Sequence, residues 1–270
     1  MRATGTAGRI VQADLDAHLA SGAARAAPAP RAPAAAASAA THPTKIVGLR
    51  RRIAQKMQEA KRRIPHFSYV EEVDVGELEA LRARLNTQWQ GQRTHLTLLP
   101  WLVRAIVLAV RDWPQVNARF DDEAGVLTRF DAVHVGIAAQ TEAGLMVPVL
   151  RDAHRGDLWA NAAEIARLGE RARGGKLVRD ELSGSTITLS SLGRLGGIAS
   201  TPIINHPEVA IVGVNRIALR PMLRGGAVVA RPMMNLSSSF DHRVVDGAIA
   251  AEFVQGLRER LEQPALLFVE

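Results

Sequence analysis

The sequence predicts an α/β fold, a mixed β-sheet with helices packed on it. Two observations lead there. Strand-like runs such as His66 to Asp74 (HFSYVEEVD) interleave with runs of helical spacing such as Leu78, Leu81 and Leu85. Several strand-like runs also lie close enough in sequence to pair as hairpins, so the sheet cannot be purely parallel.

The elements follow in order. Residues 1–20 carry the periodic stretch Ile10, Val11, Leu15 and Leu19, with Asp14 placed to cap a short helix. Residues 21–43 are rich in Ala and Pro, with few large side chains to pack. Chain entropy therefore predicts a mobile, extended, protease-sensitive tether. From residue 44 to 270 the chain reads as one continuous domain. Ile53, Met57 and Ala60 predict a short amphipathic helix, and 66–74 a strand. ELEALRARL predicts a helix after Asp74, and LPWLVRAIVLAV a second, apolar nearly all round and therefore buried. VHVGIAAQ and LMVPVL read as strands joined by a turn at 142–144, and 159–173 as a helix. STITLSS, VAIVGVNRI, GAVVAR and MMNLSSSF read as four strands, and a last helix starts near Gly247.

Composition narrows the chemistry. The 270 residues are 47% apolar and 23% charged, sufficient for one large core. Without cysteine there is no disulfide, zinc–thiolate site or cysteine nucleophile, so any thiol chemistry uses thiols that substrates bring. No segment at the start reads as a signal peptide, and the run 98–110 is interrupted by Arg104 and too short for a membrane span. These features predict a soluble cytoplasmic protein that does not bind membranes. The net charge of +7 comes mainly from arginine; with 4% aromatic residues there is little to stack on bases, and no nucleic-acid module is evident.

Two motifs carry chemistry. In SSSFDHRVVDGA (237–248), His242 and Asp246 sit where a strand gives way to a loop and a helix. A histidine serves as a general base near neutral pH, and a nearby aspartate can hold its ring or an adjacent arginine. The rival is a metal site from Asp241, His242 and Asp246, for which no second ligand cluster is evident. In STITLSSLGRLGG (185–197), a β-rich run ends in paired serines and a glycine-rich turn. Ser190 either donates a hydrogen bond to an oxyanion or acts as a nucleophile, although the G-x-S-x-G elbow is lacking. Gly193, Gly196 and Gly197 read as a tight turn, since their spacing does not match a dinucleotide loop.

SSSFDHRVVDG resembles the HxxxDG signature of dihydrolipoamide acyltransferases and chloramphenicol acetyltransferases. TLSSLGRLGG, IVGLRRRIAQKM, IPHFSYVEEVD, GLMVPVLRDA and TPIINHPEVAIVGV resemble acyltransferase segments in kind and order, over residues 44–270. ATGTAGRIVQADLDAHLA resembles the end of a peripheral subunit-binding domain, so 1–20 is expected to be a partial one. Its earlier helix and a lipoyl domain are missing, which suggests a C-terminal fragment or a shortened reading frame.

The resemblance, most like bacterial branched-chain 2-oxo acid dehydrogenase acyltransferases, implies a chloramphenicol acetyltransferase-like domain. It implies homotrimers built into a 24-mer or 60-mer core, with partners E1 and E3. It implies acyl transfer between dihydrolipoamide and coenzyme A without a metal. His242 would be the general base and Ser190 the oxyanion donor from another subunit. Asp246 would be architectural, paired with Arg52 or, next, Arg51. Arg82, Thr97 and Ser191 would contact coenzyme A, while Gln140 departs from the family's usual aspartate. The pyruvate-complex acetyltransferase is the nearest alternative. A free-standing O-acetyltransferase and a non-catalytic scaffold are the others.

Overall fold

The computed structural model describes residues 2–21, 41–142 and 144–269. It separates into two units, Met1–Lys45 and Ile46–Glu270. Residues 22–40 of the expected tether lie outside the described residues.

In the first unit, helix α1 spans Gln12–Ala20. Asp14 is not the residue before it, as the sequence suggested, but sits inside its first turn. From there its carboxylate reaches back to the Thr4 hydroxyl and to the backbone N–H groups of Val11 (3.0 Å) and Thr4 (2.9 Å). These bonds, the Thr4 hydroxyl foremost, lower its pKa. An acidic group at the third helical position is well placed to satisfy orphan N–H groups at a helix start.

The second unit begins with helix α2 (Gly48–Arg63), in which Ile53, Met57 and Ala60 form the less exposed stripe. Strand β1 (His66–Asp74) leads into helix α3 (Gly76–Gln88), whose Leu78 is fully buried. Helix α4 (Leu99–Asp112) places Pro100 in its first turn, where a missing N–H costs nothing, and buries residues 100–103 and 105–110.

A short hairpin, β2 (Ala118–Asp121) and β3 (Val126–Arg129), was not legible in the sequence. Each strand has only four residues, too few for alternation to stand out. Strand β4 (Val135–Thr141) is followed by β5 (Gly144–Met146) and β6 (Val149–Leu150), so the single strand expected over LMVPVL is split. Pro148 lies at the break and has no N–H to continue a ladder. Part of the turn expected at 142–144 lies outside the described residues.

Helix α5 (Leu158–Arg173) is capped by Asp157, which accepts from the Ala160 N–H at 2.7 Å. Then come β7 (Ile187–Ser191), β8 (Ala210–Val214), β9 (Ala218–Arg224), β10 (Ala227–Asp241) and helix α6 (Gly247–Glu262). GAVVAR and MMNLSSSF are one strand, not two. Pro232 interrupts the sequence pattern but not the strand. There β10 passes from pairing with β9 alone to pairing with β1 as well, and the Pro232 carbonyl accepts from the Val75 N–H.

The main sheet of eight strands runs β1-β10-β8-β7-β4-β5, with β9 beside β10 and β6 beside β4. The pairs β4–β7 and β7–β8 are parallel and the others antiparallel. This is the mixed sheet expected from the sequence. Helix α4 packs with α5 and α6, and the core runs from these helices into the sheet. Phe240 of β10 meets Phe253 of α6 edge to face, 6.1 Å between centroids. No described helix is long and apolar enough to cross a membrane.

Candidate active site

β10 delivers His242 to the end of the sheet, one residue beyond its last paired position. The His242 N–H donates to the Pro65 carbonyl at 3.2 Å, and its ring packs on Phe67 with centroids 4.6 Å apart. The ring is exposed, and among the described residues no hydrogen bond occupies it. Nearby His66 is the opposite case. Its Nδ1 bonds the Ile64 carbonyl and its Nε2 accepts from the Ile204 N–H, both at 2.9 Å. Burial lowers its pKa, so His66 is a neutral strut with both nitrogens in use. Of the two, only His242 has ring nitrogens without a hydrogen bond among the described residues.

The turn carrying His242 is clamped on its far side, a feature sequence reasoning missed. Arg243 makes a fork to Asp241 (2.6 Å from Nη2 to Oδ2) and reaches Asp122 through Nη1, also 2.6 Å. Its guanidinium lies 4.6 Å over the Phe120 ring. Burial works to raise the Asp122 pKa, but bonds from Arg243 and Arg63 outweigh it and hold the group charged. Asp241 is 1% exposed, so this fork is worth more than a surface pair. The D-H-R tripeptide hinted at the fork; Asp122, from the β2–β3 hairpin, gave no signal in sequence.

Asp246 caps α6, its Oδ1 accepting from the Ile249 N–H at 2.9 Å. The expected pair with Arg52 is not formed within the chain: Arg52 is exposed on α2 and makes no ion pair among the described residues, and the carboxylate serves the helix start instead. The alternative metal set also fails to assemble, since Arg243 occupies Asp241 and the helix occupies Asp246. Replacing Asp246 with Ala is expected to cost about 0.5–2 kcal/mol of stability, and Asp246→Asn much less, because asparagine caps as well as aspartate. Thermal denaturation of the two variants checks this; equal losses would show that charge matters, not the cap.

Ser190 and Ser191 end β7 in the middle of the sheet, both half-buried. Ser191 Oγ accepts from the Gly193 N–H at 3.2 Å, tightening the glycine turn, in which Gly193 has φ 53°. The Ser190 hydroxyl makes no hydrogen bond among the described residues and remains a free donor. Its neighbours are Ala138 on β4 and Gly213 on β8. A Cβ at Gly213 would run into the Ser237 carbonyl, so only glycine lets the strands close beside Ser190.

Ala138 also lines a cavity of about 330 Å³ between β4, α5 and the start of α4, with Thr97 and His95 on its wall. Arg82 is close by, donating to the Leu96 carbonyl at 3.1 Å, but its remaining fork is spent on Glu79. The structure thus places Ser190 beside Ala138, a wall residue of the Thr97 cavity, and Arg82 beside Leu96, while Ser191, the next residue on β7, points to the other face of the sheet.

His242 is elsewhere. Ser190 is level with Gly213 and Ser237, and His242 lies five residues further along β10. At ~3.3 Å per residue and ~4.8 Å per strand spacing, the two are about 19 Å apart. One chain cannot bring both to the same reacting carbon.

Residues 38–269 match the family model of the 2-oxoacid dehydrogenases acyltransferase catalytic domain. The chain belongs to this family. It is 64% identical, over 270 residues, to the lipoamide acyltransferase component of the branched-chain alpha-keto acid dehydrogenase complex of Pseudomonas aeruginosa. That match covers 100% of this chain but 63% of the relative, so the chain spans less than two thirds of its length. A solved dihydrolipoamide acetyltransferase from Azotobacter vinelandii, studied for the roles of a serine, a histidine and an asparagine in catalysis, superposes with a TM-score of 0.81 at 36% identity. The match covers 85% of this chain and 95% of that one. The cubic core of a pyruvate dehydrogenase multienzyme complex gives 0.82, also at 36%, covering 87% and 96%. The fold is that of these acyltransferase cores. Within this acyltransferase domain, His242 and Ser190 keep unengaged polar groups, whereas Asp246 and Arg82 are committed to contacts inside the chain.

Proposed function

We propose that this chain transfers an acyl group between dihydrolipoamide and coenzyme A, at a site that two copies of the chain complete. One observation carries the reading. A free imidazole and a free hydroxyl, too far apart to meet in one chain, fall at the same sequence intervals as the histidine and serine probed in the Azotobacter enzyme. The asparagine probed there falls where Asp246 stands here, and either residue can cap a helix.

The chemistry follows from these groups. A thiol is mostly protonated at neutral pH, with an ordinary pKa of ~8.5. His242 takes its proton as the sulfur attacks the thioester carbonyl carbon. The carbonyl π pair moves onto oxygen, where the Ser190 hydroxyl of a neighbouring copy donates a hydrogen bond. The bond to the departing sulfur breaks, the carbonyl reforms, and His242 returns the proton to the leaving thiolate. No acyl-serine forms.

Thr97, on the wall of the cavity, and Ser191 are assigned to coenzyme A, as is Arg82, which donates to the Leu96 carbonyl next to Thr97. The homotrimer within a 24-mer or 60-mer core is supported by the cubic core of a relative. E1 and E3 as partners, and a cytoplasmic location, belong to the same reading. So do the domain limits of 1–20, 21–43 and 44–270.

The Pseudomonas relative is named as a component of a branched-chain complex, whereas the Azotobacter protein is named an acetyltransferase and the cubic core belongs to a pyruvate dehydrogenase complex. Acetyl-, isobutyryl- and isovaleryl-coenzyme A assayed side by side with dihydrolipoamide decide. Each methylene contributes about 1–3 kcal/mol, so branched substrates are expected to lead in kcat/KM by tens- to hundreds-fold. A clear acetyl preference would assign the chain to a pyruvate complex, and no transfer at all would overturn the activity.

A further inference from the structure

A guanidinium is stacked between two indoles beside the cavity that holds Thr97. The Arg93 Cζ lies 4.7 Å from the Trp89 ring centroid and 5.1 Å from that of Trp159. Trp89 follows the last residue of α3, and Trp159 is in the first turn of α5, so Arg93 ties the end of α3 to the start of α5, the helix that lines the cavity. His95, two residues beyond Arg93, lines the cavity. Trp159 lies three residues before Ala162, another lining residue, and so shares its helix face.

The stack leaves the polar part of Arg93 unused. Contact with an indole ring engages the flat face of a guanidinium, while its five N–H donors lie in the plane. Arg93 is exposed, and among the described residues its side chain makes no hydrogen bond and no ion pair. A cation whose orientation is set in advance, with its donors free, is built to meet a planar or tetrahedral anion with little ordering cost. The ionisable groups that line the cavity are His95, Arg173 and a single acid, Glu170.

We propose that Arg93, held between Trp89 and Trp159, is an anion subsite for a phosphate group at the nucleotide end of coenzyme A. The assignment rests on the proposed use of coenzyme A and adds the group that separates it from a phosphate-free thiol. The reacting sulfur lies at the far end of the same molecule, so Arg93 acts on binding and not on the chemical step.

The test uses the full chain, with coenzyme A, dephospho-coenzyme A and pantetheine as thiol acceptors, and the variants Arg93→Met and Arg93→Lys. Arg93→Met keeps a long side chain between the rings and loses the donors. Expected is a rise of about tenfold in KM for coenzyme A, the lower end for a charge-assisted bond at an exposed site, with kcat within twofold. KM for pantetheine should not move, and Arg93→Lys should recover part of the loss. If dephospho-coenzyme A shows the same rise, the pyrophosphate is the group bound; if it shows none, the 3′-phosphate is. KM rising equally for pantetheine would reveal a merely structural tie and overturn the subsite, as would no change for any acceptor. Direct calorimetric titration with coenzyme A separates this from the activity itself. Wild-type protein that binds coenzyme A in an Arg93-dependent way but transfers nothing would sink the activity and keep the subsite. Binding indifferent to Arg93, or no binding, would remove the subsite.

Discussion

His242→Ala is expected to lower kcat by about 10²–10⁴-fold, the usual loss when a positioned general base is removed. The ring stands past the end of β10, exposed, touching Phe67 and making no hydrogen bond among the described residues. Its removal therefore leaves the core intact, and stability and assembled size should match the parent protein. The turn's position comes from the His242 N–H on Pro65 and from the Arg243 fork, neither of which involves the imidazole. Steady-state transferase assays with sedimentation on the same preparation make the measurement. A variant that assembles normally and turns over at the parental rate would show that His242 is not the base.

Ser190→Ala should cost about 2.7–4 kcal/mol in kcat, some 10²–10³-fold, with KM nearly unchanged. The oxyanion exists only near the transition state, so a bond made to it contributes nothing to substrate binding. The inter-copy site adds a sharper consequence. Each inactive variant retains the half-site that the other lacks. In a ring of copies assembled at random from equal amounts of Ser190→Ala and His242→Ala, about a quarter of the sites regain both groups. Co-assembled mixtures should recover activity accordingly, while separately assembled variants mixed afterwards should not. No recovery on co-assembly would place both groups in one subunit, against the about 19 Å that the strand register puts between them. Acyl-serine detected by mass spectrometry would instead make Ser190 a nucleophile.

Much of the fold was legible because its signals are local. The nine-residue alternation of β1 and the all-round apolar α4 need only a window of sequence. Short or interrupted elements were not. The four-residue strands of the β2–β3 hairpin are below the length at which a period is visible. β9 (218–224) was not read as a strand, and Pro232 made β10 read as two strands, because a proline's tolerance depends on which side of the strand is paired. At the candidate site, His242 and Ser190 were singled out from motif context. Their supports were not: Asp122 reaches Arg243 across 121 positions, and the Ile204 N–H reaches His66 across 138.

The sequence by itself determined the groups available: a histidine and a serine in motif context, no cysteine, and elements that must form an α/β sheet. These depend on residue type and on periods of a few residues. Only the tertiary structure decided how the groups are used. It turned Asp246 toward the α6 N-terminus instead of Arg52, because a carboxylate at that position meets orphan N–H groups from its own helix. It set Ser190 level with Ser237, five residues short of His242, because sheet register is a long-range pairing that no local pattern encodes. That separation is why the proposed site needs two copies of the chain.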